Sequence, residues 1–242
     1  MRSLVRGMGG TGRAVLVAAA LGGAGCTQIV PAGEEAASRS AVVAGVLPYY
    51  AEGSFTPHWF ASRAEVPGDF HAIRPFSLLD QRGEVLTESA FEGRVYVANF
   101  FFSDCPGICP MTMASMARLQ EATADDPDVV LLSHSVTPET DSVAKLDTFA
   151  RSISALAPKW FLATGDAQTI YDLGKNFYFA DDDLGEVEQL VADGRVETFL
   201  HSESFFLVDS DRRIRGIYNG MNRSAVDQLI ADIRTLQAEE AG

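Results

Sequence analysis

Tyr96-Val97-Ala98-Asn99-Phe100-Phe101-Phe102 is apolar at every position but Asn99. A strand with one face in water alternates apolar and polar residues, and this run does not. It must be covered on both faces, as strands inside a helix-flanked sheet are. Directly after it comes Asp104-Cys105-Pro106-Gly107-Ile108-Cys109-Pro110. Met113, Met116, Ala117 and Leu119 then recur at helical spacing. Pro110 fits the first position of that helix, where its missing N–H costs nothing. Two cysteines with three residues between them therefore sit on a strand-to-helix loop.

The neighbouring segments extend this frame. Phe76 to Asp80 and Val85 to Thr87 flank a polar turn containing Gly83 and read as a hairpin. Further strands are expected at 128–136 and 159–163, and helices at 142–153 and 167–176. A second hairpin is expected from 204–208 and 213–218, around a turn at 209–212. Val226, Leu229, Ile230, Ile233 and Leu236 mark a closing helix over 224–237. Strands alternating with helices, then an antiparallel pair, predict an α/β fold. It is a thioredoxin-like mixed sheet with helices on both faces and an N-terminal β-hairpin.

The 242 residues carry a net charge of −14. Such a surface repels nucleic acid and anionic headgroups and excludes nucleic-acid binding, while a cationic partner or metal ion suits it. The acidic segment Asp181 to Glu188 reads as a solvated loop, with a docking face for a basic partner as the alternative.

The N-terminus reads as an address. Arg2, Arg6 and Arg13 precede the apolar run Ala14 to Leu21, which is too short to span a bilayer. Small residues lead to Cys26, as in a bacterial lipoprotein signal. The expected organisation is a signal peptide of lipoprotein type at 1–25, a tether at 26–66 and a thioredoxin-like domain at 67–240. The domain is expected outside the cytoplasm, on the periplasmic side, held at the membrane through lipidated Cys26; a plain cleaved signal peptide or an uncleaved anchor is the alternative. Leu47 to Tyr50 and Phe55 to Phe60 are aromatic enough to pack on the domain.

Three cysteines are too few for a disulfide scaffold, and two of them are neighbours. Cys109 at a helix start is expected to be a stabilised thiolate. Pro106 and Gly107 let the chain turn so that Cys105 comes back beside it. Two thiolates suit Cu(I) or Zn(II), and structural zinc needs four ligands. His58, His71, His134 and His201 are the candidate third ligands. His134 lies inside a predicted strand and reads as structural, and His58 and His71 lie toward the tether. His201 stands just before a predicted core strand that borders the cysteine-bearing one.

Several segments together resemble the Sco/SenC family. They are Val97 to Met111, Ser135 to Ser142, Trp160 to Gly165 and His201 to Gly220, with Asp80-Gln81-Arg82-Gly83 as the early hairpin. The resemblance covers Phe70 to Leu236. It implies a copper-binding, thioredoxin-like protein of cytochrome c oxidase assembly, with Cys105, Cys109 and His201 as ligands to Cu(I) and Cu(II). The family's acidic residue near the site falls on Asp141. Asp104 stands where the family often has Thr or Ser and is a second candidate for tuning.

On this reading the chain is a copper metallochaperone whose partner is the copper-bearing subunit of an oxidase. The alternative is a thiol–disulfide oxidoreductase using Cys105 and Cys109 as its redox pair. Against that stand the C-x-x-x-C spacing and the absence of proline around Leu200 to Ser204. A purely structural disulfide explains the pair least well, since closing so short a loop gains little. Met113 and Met116 read as core; Met111, beside the loop, is the methionine that could touch copper.

Overall fold

The computed structural model describes residues 46–180, 187–190, 196–199 and 202–241, with backbone alone at 187–190 and 196–199. In chain order the elements are β1 (Ser77–Leu79), β2 (Val85–Thr87), β3 (Val95–Phe101), α1 (Cys109–Ala122), β4 (Val129–Ser135), α2 (Val143–Ile153), β5 (Trp160–Ala163), α3 (Ala167–Asp172), β6 (Val187–Leu190), β7 (Val196–Phe199), β8 (Ser204–Val208), β9 (Ile214–Asn219) and α4 (Arg223–Ala241).

The apolar run is β3, buried at every position. It is the central strand of a five-stranded sheet of order β5-β4-β3-β8-β9. β4 runs parallel to β3 and β5 parallel to β4, while β8 and β9 are antiparallel additions. Period-2 alternation assigns the faces. Val95, Val97 and Phe101 pack with Met113, Met116 and Leu119 of α1, Leu146 of α2, and Leu229 and Ile233 of α4. Tyr96, Ala98 and Phe100 face the other way, onto Leu78 and Leu86 of the first hairpin and Ile170 of α3. Helices therefore cover both faces, and the expected thioredoxin-like mixed sheet is the observed one.

Local signals set the helix ends. The Ser142 hydroxyl caps α2 by accepting from the Lys145 N–H, and Asp166 caps α3 by accepting from the Thr169 N–H. Ser154 ends α2 in the left-handed conformation at φ 58°. The segment around Glu188, read as a loop, contains half of an antiparallel hairpin in which Val187 pairs with Phe199. Its strands are four residues each, too short for their pattern to show through the charge. Residues 181–186 lie outside the described residues.

The stretch read as a tether is packed from Leu47 onward. Tyr49 exchanges two backbone hydrogen bonds with His58, and the Tyr50 N–H donates to the Ile214 carbonyl on β9. Tyr49, Phe60 and Phe70 meet edge to face. The hub is Arg215, 2% exposed on β9. Its guanidinium lies 3.8 Å over the Tyr49 ring, donates to the carbonyls of Leu47 and Pro48, and pairs with Glu239 of α4. At the other edge Gln81 bonds β5 like a strand. Its amide donates to the Trp160 carbonyl and accepts from the Leu162 N–H, both at 2.9 Å. Leu79 and Thr164 add two backbone hydrogen bonds beside it. Among the described residues no helix is long and apolar enough to cross a membrane.

His134 on β4 is fully buried, stacked on Phe100 at 5.0 Å, and neither ring nitrogen has a partner. It is structural, as expected for a strand histidine, but unsatisfied. Burial lowers its pKa from 6.5 to about 4. The folded state therefore refuses a proton that the unfolded chain accepts. The contribution is intact above pH 6.5 and is lost as pH falls toward about 4. Across that window each pH unit is expected to cost about 1.4 kcal/mol. Urea unfolding from pH 7 to pH 4 checks this. His134→Leu should flatten the slope, and an unchanged slope would show that His134 is not responsible.

Candidate metal centre

β3 delivers the chain into the cysteine loop, and α1 receives it. The Cys105 N–H donates to the Phe102 carbonyl at 3.3 Å, which begins the turn. Cys109 is the first residue of α1, so Pro110 takes the second position, not the first. Ile108 is the cap, without a side-chain hydrogen bond, and the N–H groups of Met111 and Thr112 reach back to its carbonyl. Nothing packs within 4 Å of where a Gly107 side chain would be, so the middle of the loop is open.

The two cysteines are free thiols, Cys105 half-buried and Cys109 6% exposed. They share the wall of an apolar cleft of about 340 Å³ with Phe102 and Met113, and with Phe149 and Ile153 of α2. Burial pushes the free Cys109 thiol up to about 12, and the adjacent Cys105 thiol acts in the same direction. Backbone hydrogen bonds at Phe102 and Cys109 pull the other way and lose. The stabilised thiolate expected at a helix start is thus overturned: desolvation outweighs the helix terminus when the sulfur sits in the core. Cys109 is the enclosed member of the pair, and Cys105 is the one open to solvent.

Asp141 is fully buried and anchors the loop from the β4–α2 connection. It accepts from the Ser103 N–H at 3.1 Å and the Ser103 hydroxyl at 2.5 Å. The hydroxyls of Ser135 and Thr137 donate to it at 2.6 and 3.2 Å. Burial disfavours its charge, but the hydrogen bonds from Ser103, Ser135 and Lys145 prevail and hold the carboxyl below its usual range. Lys145 reaches Asp141 at 3.2 Å and Asp104 at 2.7 Å. Asp104 therefore meets an ammonium. Asp141 lies just before α2 and Lys145 in its first turn, so the Asp141 contact is local, whereas the bond to Asp104 joins α2 to the cysteine loop.

Asn99, the lone polar residue of the apolar run, has a partner for each end of its amide. Trp160 Nε1 donates to Ser133, Ser133 donates to Asn99 Oδ1, and Asn99 Nδ2 approaches the Met113 sulfur at 3.9 Å. Met113 and Met116 are core, as expected, while Met111 is 49% exposed. The described histidines stay apart from the thiols. His71 bonds the Phe177 carbonyl, His58 packs on Phe70, and His134 faces the opposite side of the sheet. Among the described residues no three His, Cys, Asp or Glu side chains converge as a metal cage. His201 lies outside the described residues. It stands three positions before β8, whose pairing of Phe206 with Ala98 sets Ser204 toward the Phe101 end of β3.

Fold and loop together define a thioredoxin-like domain that carries a neighbouring pair of thiols between its central strand and a helix. The chain belongs to the SCO1/SenC family, whose model matches residues 65–238. It is 30% identical to a SCO1 homolog of Bacillus subtilis over 68% of this chain and 82% of that one. A SCO1/SenC family lipoprotein from Bacillus anthracis superposes with a TM-score of 0.59 at 26% identity, over 73% of this chain and 99% of that one. BsSco, solved in work identifying a disulfide switch and described as a member of the Sco family of cytochrome c oxidase assembly proteins, gives a TM-score of 0.57. It is 28% identical over 69% of this chain and 94% of its own. Sco proteins with copper bound share the fold at 23 and 24% identity.

Proposed function

We propose that the chain is a copper metallochaperone. It would hold Cu(I) or Cu(II) through Cys105, Cys109 and His201 and deliver it to the copper-bearing subunit of a cytochrome c oxidase. The observation that carries this reading is the pair of free thiols on one cleft wall, one half-exposed and one buried. Two soft sulfurs suit Cu(I) at low coordination number, and an imidazole suits both oxidation states. The partly open Cys105 is the side from which copper enters and leaves; Cys109 is the fixed end. Family membership and the run-in of β8 support His201 as the third donor. The N-terminal signal supports an extracytoplasmic protein held at the membrane through lipidated Cys26, and the lipoprotein among its relatives agrees with that.

The test is an anaerobic copper titration of the reduced protein, which should saturate at one Cu(I) per chain. His201→Ala is expected to weaken Cu(II) binding far more than Cu(I) binding, because the thiolates remain. Equal affinities for wild type and variant would remove His201 from the ligand set.

A second reading, thiol–disulfide exchange on the recipient's cysteines, is favoured by the disulfide switch of BsSco. The C-x-x-x-C spacing and the absence of proline around Leu200 to Ser204 weigh against a general reductase. Fast reduction of insulin disulfides without copper binding would reverse this order.

A further inference from the structure

The cysteine loop is fixed unevenly. Its far end is built into α1, and its middle is open around Gly107. Its near end is held by side chains. Ser103 is bonded to the buried Asp141, and Asp104 is bonded to Lys145, whose ammonium also touches Asp141. One cation thus bridges two carboxylates, one in the α2 connection and one adjacent to Cys105.

Lys145 is 32% exposed and Asp104 is 77% exposed, so the bridge is screened on one side only. Partial burial works against the Lys145 charge, but Asp104 and Asp141 outweigh it. Without the bridge the residue next to Cys105 loses its tether to α2 and the open loop gains freedom.

We propose that Lys145 is a positioning residue of this site: by clamping Asp104 onto Asp141 it keeps Cys105 within reach of Cys109. The inference needs only that the two sulfurs act together, and its bearing on copper rests on the metallochaperone reading.

The test equilibrates the protein with glutathione. Oxidation joins Cys105 and Cys109 through a new S–S bond. Their two electrons and two protons pass to glutathione disulfide, which splits into two glutathione thiols. The equilibrium constant reports how well the loop presents one sulfur to the other. Lys145→Met should lower it about threefold, the size expected for a partly exposed ion pair. Lys145→Arg should restore it. Asp104→Asn, which leaves Asp141 its cation, should reproduce the Lys145→Met value. An unchanged constant in Lys145→Met overturns the proposal. So does a fall in Lys145→Met that Asp104→Asn does not share, because Lys145 would then serve only Asp141. Cu(I) affinity, measured by chelator competition, should fall by the same factor. If the glutathione constant falls and no variant binds copper, the clamp stands and the copper reading fails.

Discussion

Cys105→Ala is expected to abolish Cu(I) uptake at micromolar protein, with affinity down by more than about 100-fold. Even groups that only orient metal ligands cost 10–100-fold when lost, and here a donor itself disappears. The variant should fold normally, because Cys105 is half-buried on an open loop. Cys109→Ala should lose copper equally but also lose some stability, since Cys109 belongs to the buried cluster that includes Phe101, Met113 and Leu146. Anaerobic titration against a Cu(I) chelator, beside urea unfolding, separates the two effects. A Cys105→Ala protein that still takes one Cu(I) with wild-type affinity would falsify the site.

Arg215→Ala is expected to lower stability by about 3–5 kcal/mol, the usual loss when one partner of a buried charged cluster is removed. Arg215 is 2% exposed and holds five groups at once: the Leu47 and Pro48 carbonyls, the Tyr49 ring, Glu239 and, at 3.5 Å, Asp209. Burial already drives Asp209 up to about 6, despite the Arg213 N–H and the Arg215 charge. Without Arg215, two acids are stranded and the segment from Leu47 to Tyr50 loses its anchor. Chemical denaturation measures the loss, and limited proteolysis should cut first near Tyr50. A cost under about 1 kcal/mol, with the segment still protected, would mean that the guanidinium is dispensable.

The sheet was legible because a buried strand has no polar alternation. β3, β4 and β5 announced themselves; the helix expected over 142–153 is α2, while the one expected over 167–176 is an α-helix only as far as Asp172. Both thiols were legible from spacing alone. What escaped came from long-range geometry. The bond from Lys145 to Asp104 spans 41 residues. Arg215 in a strand reads as a solvent-facing cation, and only the fold reveals that it is enclosed. The Cys109 thiolate was misjudged because a local rule about helix starts says nothing of depth.

Gln81 and Tyr50 occupy opposite rims of the five-stranded sheet. Gln81 uses a side-chain amide in place of a neighbouring strand along β5, and Tyr50 lays one backbone bond along β9. Exposed rims are where sheets recruit other chains and polymerise. With both rims occupied from within, two molecules brought side by side at high local density have little template for cross-strand pairing.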